Sequence, residues 1–314
     1  MKKWLGFLLV LVLAVGLAAC GSQDAGNEQP SNEAEETTDT AGNEEGAGET
    51  ATAVGESVDY KIVGIDPGAG IMKATAQAIE EYGLEDWELI EGSGAAMTAA
   101  LKKAYDDEEP IIITGWTPHW KFAKFDLKYL EDPKGIYGDE ENIHTITRNG
   151  LKDDQPNAYK VLDQFHWTAD DMSAVMVMIE EGMKEEEAAA KWLEENADKV
   201  AEWTAGAEQV DGDEITLAYV AWASEIASTN VLAKVLTDIG YDVTMTQLEA
   251  GPLWAGIADG SADASVAAWL PVTHADYATE FDGKFEDLGT NMEGTRIGLV
   301  VPTYMDITSI EDLK

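Results

Sequence analysis

The sequence has one cysteine, four histidines and few basic residues, and each shortage excludes a class of protein. A single cysteine can form no disulfide within the chain and no zinc site built on several thiolates. The histidines lie far apart, and none belongs to a pattern such as His-Glu-x-x-His, so no metal site is expected. Lys and Arg number 20 against 61 Asp and Glu, a formal net charge of −41. Nucleic acid and anionic membrane surfaces, which require a basic face, are therefore poor partners.

Catalytic and cofactor signatures are also missing. No Gly-x-Ser-x-Gly elbow and no phosphate-binding Gly-Lys-Ser/Thr loop occurs, and the Gly-x-Gly of Gly68 and Gly70 lacks the third glycine of a dinucleotide fingerprint. Pairs of carboxylates are abundant, but in so acidic a chain any spacing arises by chance. We therefore expect no cofactor, no catalytic residues and no enzymatic activity.

Residues 1–19 have the pattern of a secretory signal peptide. Two lysines precede an apolar run, and small residues then lead to Cys20 in the lipobox Leu-Ala-Ala-Cys. The apolar run is shorter than the roughly 18 residues that span a bilayer. We expect cleavage before Cys20 and lipidation of its thiol, which would anchor the protein at the extracellular face of the cell membrane. The alternative is an uncleaved membrane anchor.

Residues 20–57 have the composition of a flexible acidic tether. They contain no lysine, arginine or aromatic residue and cannot bury enough apolar surface to fold. Residues 58–314 are long enough for two compact lobes. The excess of acidic residues is typical of a protein that stays soluble in a salty medium, which points to a halophilic host.

An internal repeat organises the folded part. From residue 61 to residue 114, hydrophobic patterns predict strand, helix, strand, helix and strand, followed by Gly-Trp-Thr-Pro-His-Trp at 115–120. The same order recurs from residue 215 to residue 269 and ends in Ala-Trp-Leu-Pro-Val-Thr-His at 268–274. Two similar α/β halves predict a cleft between them, reached from the carboxyl ends of the strands.

The segment between the two halves, residues 150–210, is predicted to be helical. Amphipathic patterns cover residues 172–181 and 185–195. We expect Trp192 and Trp203 to be core residues there.

Three tryptophans lie at strand ends of the two halves: Trp116, Trp222 and Trp269. A single tryptophan is most often a core residue, but three at such positions predict an aromatic cage. Indole faces attract a cation that donates no hydrogen bonds, with about 0.5 to 2 kcal/mol per face. A carboxylate on the same ligand would find backbone amides at the helix start after Gly68 and a side-chain donor in His274. The pattern predicts a small zwitterionic ligand with a quaternary ammonium group.

Four segments give the chain a resemblance to a known family. They are Gly-Ile-Asp-Pro-Gly-Ala-Gly-Ile-Met (64–72), Ile-Thr-Gly-Trp-Thr-Pro-His-Trp (113–120), Tyr-Val-Ala-Trp-Ala-Ser-Glu-Ile-Ala-Ser-Thr-Asn (219–230) and Ala-Trp-Leu-Pro-Val-Thr-His (268–274). Over essentially all of residues 58–314, the chain resembles the glycine betaine-binding lipoproteins of Gram-positive ABC-type osmoprotectant importers. The resemblance implies a substrate-binding protein that delivers glycine betaine to the importer's permease.

The resemblance also implies roles for individual residues. The indoles of Trp116, Trp222 and Trp269 would form a prism around the trimethylammonium group. The carboxylate would be held by two backbone amides and a histidine, which correspond here to Gly70, Ile71 and His274. One departure from the family pattern is Ala223, where an aspartate is expected after the cage tryptophan.

The fold implied by the resemblance is α/β, two-lobed and periplasmic-binding-protein-like (type II). Each lobe would be a sheet flanked by helices, with the ligand in the interlobe cleft. Lobe 1 would comprise residues 58–147 and 295–314, and lobe 2 residues 148–294.

Other functions stay open at this point. Within the same class, the ligand could be choline, carnitine, proline betaine or dimethylsulfonioacetate, and choline differs by having no carboxylate. From other classes, the chain could be a surface-anchored hydrolase of choline compounds, with the cage as its substrate pocket, or a structural or adhesive lipoprotein. Only the last of these predicts no response to small ligands.

Overall fold

The computed structural model describes residues 54–314. The predicted signal peptide, Cys20 and most of the predicted tether lie outside the described residues. Residues 54–57 form one helical turn inside the segment assigned to the tether, because the ring of Tyr60 packs against Gly55 and Val54 packs on the core. Among residues 54–314, no helix is long and apolar enough to cross a membrane.

The first repeat forms the predicted series of strands and helices. Strand β1 lies between β2 and β3 and pairs with both in parallel. The first helix ends at Gly83, whose left-handed conformation closes the C-terminus, and the second begins where the Ser93 side chain accepts the amide of Ala96. The elements are β1 (Lys61–Val63), α1 (Gly70–Tyr82), β2 (Glu88–Ile90), α2 (Gly94–Asp106) and β3 (Ile113–Thr117).

The connecting segment is largely helical, as predicted. Trp192 and Trp203 are 3% and 0% exposed and stack with ring centroids 5.8 Å apart, which confirms them as core residues. Three elements precede the segment: α3 (Lys121–Lys124), β4 (Leu127–Tyr129) and β5 (Glu141–Arg148). The segment itself contains α4 (Leu151–Asp154), α5 (Pro156–Gln164), α6 (Ala169–Glu180), α7 (Glu185–Glu195) and α8 (Ala197–Trp203).

The second repeat has the same strand arrangement as the first. Strand β6 lies between β7 and β8 and is parallel to both, as β1 is to β2 and β3. The predicted repeat is therefore confirmed in its element order, and the structure adds that the three strands pair in the same way in both halves. The elements are β6 (Glu214–Tyr219), α9 (Ala223–Asp238), β7 (Asp242–Gln247), α10 (Ala250–Asp259) and β8 (Ala264–Leu270).

One long strand connects the two repeats. After α11 (Ala275–Glu280), β9 (Phe285–Pro302) pairs antiparallel with β5 over residues 285–295 and with β3 over residues 296–300. The strand order is β2-β1-β3-β9-β5-β8-β6-β7, with β4 also on β9. The first repeat thus lies on one side of β9 and the second on the other, while the lobe boundaries themselves stay a prediction.

Candidate functional site

The carboxyl ends of β1, β3, β6 and β8 meet at one small cavity. Its wall is formed by Ile65, Ala69, Gly70, Ile71, Trp116, Trp222, Trp269, Thr273 and Ile297.

The three predicted tryptophans line this cavity together, and we call them the tryptophan triad (Trp116, Trp222 and Trp269). Each is 3 to 5% exposed. Trp116 and Trp269 lie within the last residues of β3 and β8, whereas the sequence pattern placed Trp116 in the loop after its strand. Trp222 directly precedes α9. Because indole faces carry negative electrostatic potential, their convergence favours a cation without hydrogen-bond donors.

A single buried carboxylate fixes two of these indoles. The Nε1–H of Trp269 donates to Oε1 of Glu225 at 2.8 Å. The Nε1–H of Trp116 donates to the hydroxyl of Ser224 at 3.1 Å, and that hydroxyl donates to Oε2 of Glu225 at 2.6 Å. Glu225 is 1% exposed, and this burial raises its pKa, while the bonds from Ser224 and Trp269 act in the opposite direction. The network sets the ring planes of indoles from both repeats.

The third indole is held from the opposite repeat. The Nε1–H of Trp222 donates to Oδ2 of Asp66 at 2.8 Å. Asp66 follows β1, whereas Trp222 follows β6. Trp222 is therefore positioned by Asp66 although residue 223 is alanine and not the aspartate expected from the family pattern.

The start of α1 forms another part of the cavity wall. Gly70 and Ile71 are the first two residues of this helix, and no side chain caps its N-terminus. The first amides of a helix have no intrahelical acceptor and lie at its positive end, so they suit an anion. A Cβ at position 70 would lie 2.0 Å from the carbonyl oxygen of Thr273, so only glycine fits there.

A second buried carboxylate shapes the loop that follows β8. Glu141 accepts the backbone amides of Val272 at 3.1 Å and Thr273 at 2.9 Å, and also the hydroxyl of Thr273. Burial raises the pKa of Glu141, and these hydrogen bonds oppose the rise. The contact holds the carbonyl of Thr273 against Gly70, which brings a residue of each repeat to the same wall.

His274 lies beside this wall, next to Thr273, and does not itself line the cavity. Its Nδ1 accepts the backbone N–H of Trp269 at 3.1 Å, so the ring hydrogen is assigned to Nε2. Within residues 54–314, Nε2 has no hydrogen-bond partner. Burial, with a smaller contribution from the positive Lys73, lowers the pKa of His274 to about 3. The imidazole is thus a neutral donor with one unused N–H.

Four residues that shape the site were not predicted from the sequence: Asp66, Ser224 and Glu225, which orient the triad, and Glu141. Asp66, Ser224 and Glu225 lie inside the segments that carry the family resemblance, beside strand ends. Their position in those segments was the signal that could have identified them. The two carboxylates were not considered, because acidic residues are too common in this chain for their spacing to be interpreted.

Comparison with known proteins gives one family. A family model described as the substrate binding domain of ABC-type glycine betaine transport systems matches residues 34–195 and 213–314. The glycine betaine/carnitine transport binding protein GbuC of Listeria monocytogenes is 59% identical over 264 residues, which cover 83% of this chain and 88% of the relative.

Two solved structures are also similar. One is lactococcal OpuAC in its closed, liganded conformation with glycine betaine, at 51% identity and a TM-score of 0.45 over 46% of this chain and 57% of that chain. The other is the glycine/betaine/L-proline-binding protein ProX of Borrelia burgdorferi, at 37% identity and a TM-score of 0.46 over 48% and 58%. Each match spans a little over half of the solved chain.

Proposed function

Since the chain belongs to the family of substrate-binding domains of ABC-type glycine betaine transport systems, we propose that it captures glycine betaine and delivers it to the permease of such an importer. It is a transporter's binding protein and not an enzyme. Its fold is α/β and periplasmic-binding-protein-like, as the sequence predicted.

The observation that carries the proposal is one small cavity with two chemically different walls. The tryptophan triad forms one wall and the uncapped start of α1 forms the other. Glycine betaine has a trimethylammonium group at one end and a carboxylate at the other. The methylated cation would lie among the indoles, and the carboxylate would accept the amides of Gly70 and Ile71. The Nε2–H of His274 would be a further donor to the carboxylate if the neighbouring wall at Thr273 moves aside, because this atom is buried outside the cavity.

Ligand charge supports a zwitterion over the alternatives. Choline has no carboxylate and would leave the helix amides and the imidazole N–H without an acceptor in a dry cavity, which is costly. An anion would be repelled by a chain of formal net charge −41, whereas a net-neutral molecule is not. Carnitine and proline betaine keep both charged ends and are the nearest competing ligands.

The two repeats would contribute different parts of the site. Gly70, Ile71 and Trp116 belong to the first repeat, and Trp222, Trp269 and His274 belong to the second. A ligand that contacts both groups stabilises the closed arrangement, and this closed form is what the permease would recognise.

We also propose that Cys20 carries lipid and that the acidic segment after it tethers the binding domain to the extracellular face of the membrane. The acidity suits a salty medium, because dissolved salt screens repulsion among carboxylates. A rise in melting temperature with added NaCl supports this halophilic character, and a fall contradicts it.

Calorimetric titration with glycine betaine, carnitine, proline betaine and choline tests the proposed ligand. We expect glycine betaine to bind in the micromolar range, about −8 kcal/mol, because a delivery protein must also release its ligand. Choline should bind at least about tenfold more weakly. Absence of binding by all four compounds, or a preference for choline, would contradict the proposal.

A further inference from the structure

Lys121 is a buried lysine for which the proposed function has no role. It is 0% exposed. Within the described part of the chain, its Nζ has no hydrogen-bond partner and forms no ion pair. Burial of an ammonium group without a partner is costly, and here it lowers the pKa of Lys121 well below the usual range.

The amino group of Lys121 lies over one ring of the tryptophan triad, that of Trp116. Its Nζ is 4.2 Å from the ring centroid of Trp116 and 5.3 Å from that of Phe122. Trp116 lines the cavity, whereas Lys121 does not. Lys121 therefore packs on the Trp116 ring from outside the cavity.

When Lys121 is protonated, one indole would thus contact two cations once a quaternary ammonium ligand is bound. A cation on one face withdraws electron density from the ring and weakens its attraction for a cation on the other face. The two positive charges also repel each other. At a separation of roughly 8 Å and an effective dielectric constant of about 20, the repulsion is about 2 kcal/mol, which would lower the affinity for the ligand by about tenfold or more.

We propose that Lys121 responds to the charge of the ligand through Trp116, so that arrival of a trimethylammonium group in the cavity expels a proton from the Lys121 ammonium to solvent. This inference rests on the proposed function. Binding is then linked to proton release, and affinity rises with pH as the fraction of charged Lys121 falls. A ligand without a cationic group would not release this proton.

The groups that face Lys121 from neighbouring elements do not supply a counter-charge. His119 accepts the backbone N–H of Lys121 on Nδ1 at 3.1 Å, and burial, with the charge of Lys121 adding, lowers the pKa of His119. Tyr129 on β4 stacks on Phe122, and burial raises the pKa of its phenol, which stays neutral. Arg296 on β9 lies over Tyr129 at 4.1 Å and is itself positive.

The groups of β3 and β9 that lie next to the Lys121 side chain carry no charge. Val300 on β9 and Gly115 on β3 flank the Lys121 side chain. Glu225 reaches Trp116 only at the ring edge, through Ser224. It can also change protonation when a cation binds, so the test must separate its proton from that of Lys121.

The test is calorimetric titration of the protein with glycine betaine in buffers of different ionisation enthalpy, between about pH 6 and pH 9. The wild type is compared with K121M, which removes the charge and keeps the length of the side chain. K124M is the matched control, because Lys124 is exposed on the same short helix and its Nζ lies 5.9 Å from Trp120, outside the cavity.

We expect the wild type and K124M to release up to one proton more per ligand than K121M does. At the acid end of the range, K121M should bind about tenfold more tightly than the wild type, and this advantage should shrink as pH rises. Equal proton release and equal affinity in K121M and the wild type would overturn the inference while leaving the proposed function in place.

Two further results are decisive. No binding of glycine betaine by the wild type would overturn the proposed function and this inference with it. If K121M does not give a cooperative melt without ligand, K121Q, which keeps a polar end and has no titratable charge, takes its place with the same expected results.

Discussion

The indole N–H of Trp222 donates to Oδ2 of Asp66 at 2.8 Å, so a residue of the first repeat fixes an indole supplied by the second. A bond in the opposite sense joins Trp116 of the first repeat to Ser224 of the second at 3.1 Å. The two repeats therefore position each other's aromatic rings. The geometry of the tryptophan triad depends on both bonds, and each can be tested separately.

Replacement of Asp66 by alanine should weaken glycine betaine binding by about three- to tenfold, because one net hydrogen bond that holds Trp222 is lost. D66N keeps an acceptor oxygen and should lose less. Calorimetric titration measures both variants, with D86A, an exposed site of the same repeat, as the control. Wild-type affinity in D66A would show that Trp222 needs no such support.

Replacement of Glu225 by glutamine should weaken glycine betaine binding by about tenfold. The amide can still accept from Trp269, but it carries no charge, and its NH₂ group cannot accept from Ser224. Affinity is measured by calorimetry and folding by the melting temperature without ligand. E202Q, a change at an exposed glutamate, is the control. If E225Q binds as the wild type does, the carboxylate has no part in orienting the indoles.

The sequence was sufficient to predict the tryptophan triad, because indoles at matched strand ends are recognisable from element order alone. It was insufficient for Asp66 and Glu225. In a chain with 61 acidic residues, nothing local separates a carboxylate that accepts an indole N–H from one on the surface. Their partners are 156 and 44 residues away in sequence, and only the folded chain brings them together.

The strand that joins the repeats was also not predicted. β9 contains Gly289 and Gly294, both with positive φ, and its pairing with β5 is irregular. Such a segment has no clean alternation of apolar and polar residues, which is the pattern by which strands are recognised. The repeated strand-helix units were predictable because their hydrophobic periodicity is local.

Replacement of His274 by asparagine should distinguish ligands with a carboxylate from ligands without one. Asparagine can still accept the backbone N–H of Trp269, but it lacks the Nε2–H that points away from that contact. We expect glycine betaine affinity to fall by about tenfold, since a hydrogen bond to a charged group is lost, and choline affinity to stay unchanged. Calorimetry with both ligands measures this. An equal loss for both would indicate general damage to the site.

The same histidine should make stability depend on pH. The pKa of buried His274 is lowered to about 3 from 6.5, so between these values the unfolded chain binds a proton that the folded chain does not. Stability is therefore lost as pH falls below 6.5, by about 2 kcal/mol at pH 5. Urea unfolding should show a shallower decline from pH 7 to pH 5 in H274N than in the wild type. Parallel declines would mean that His274 titrates normally in the folded protein.

The tryptophan triad should recognise the positive charge of the ligand and not merely the shape of its trimethyl group. 3,3-Dimethylbutanoate replaces the nitrogen of glycine betaine by carbon, so it keeps the size, the three methyl groups and the carboxylate but has no cation. Titration of the wild-type protein with both compounds at high salt, which screens the repulsion between the acidic chain and the dimethylbutanoate anion, compares the two directly. Three indole faces at about 1 kcal/mol each predict that glycine betaine binds at least about a hundredfold more tightly. Equal affinities would contradict the claim.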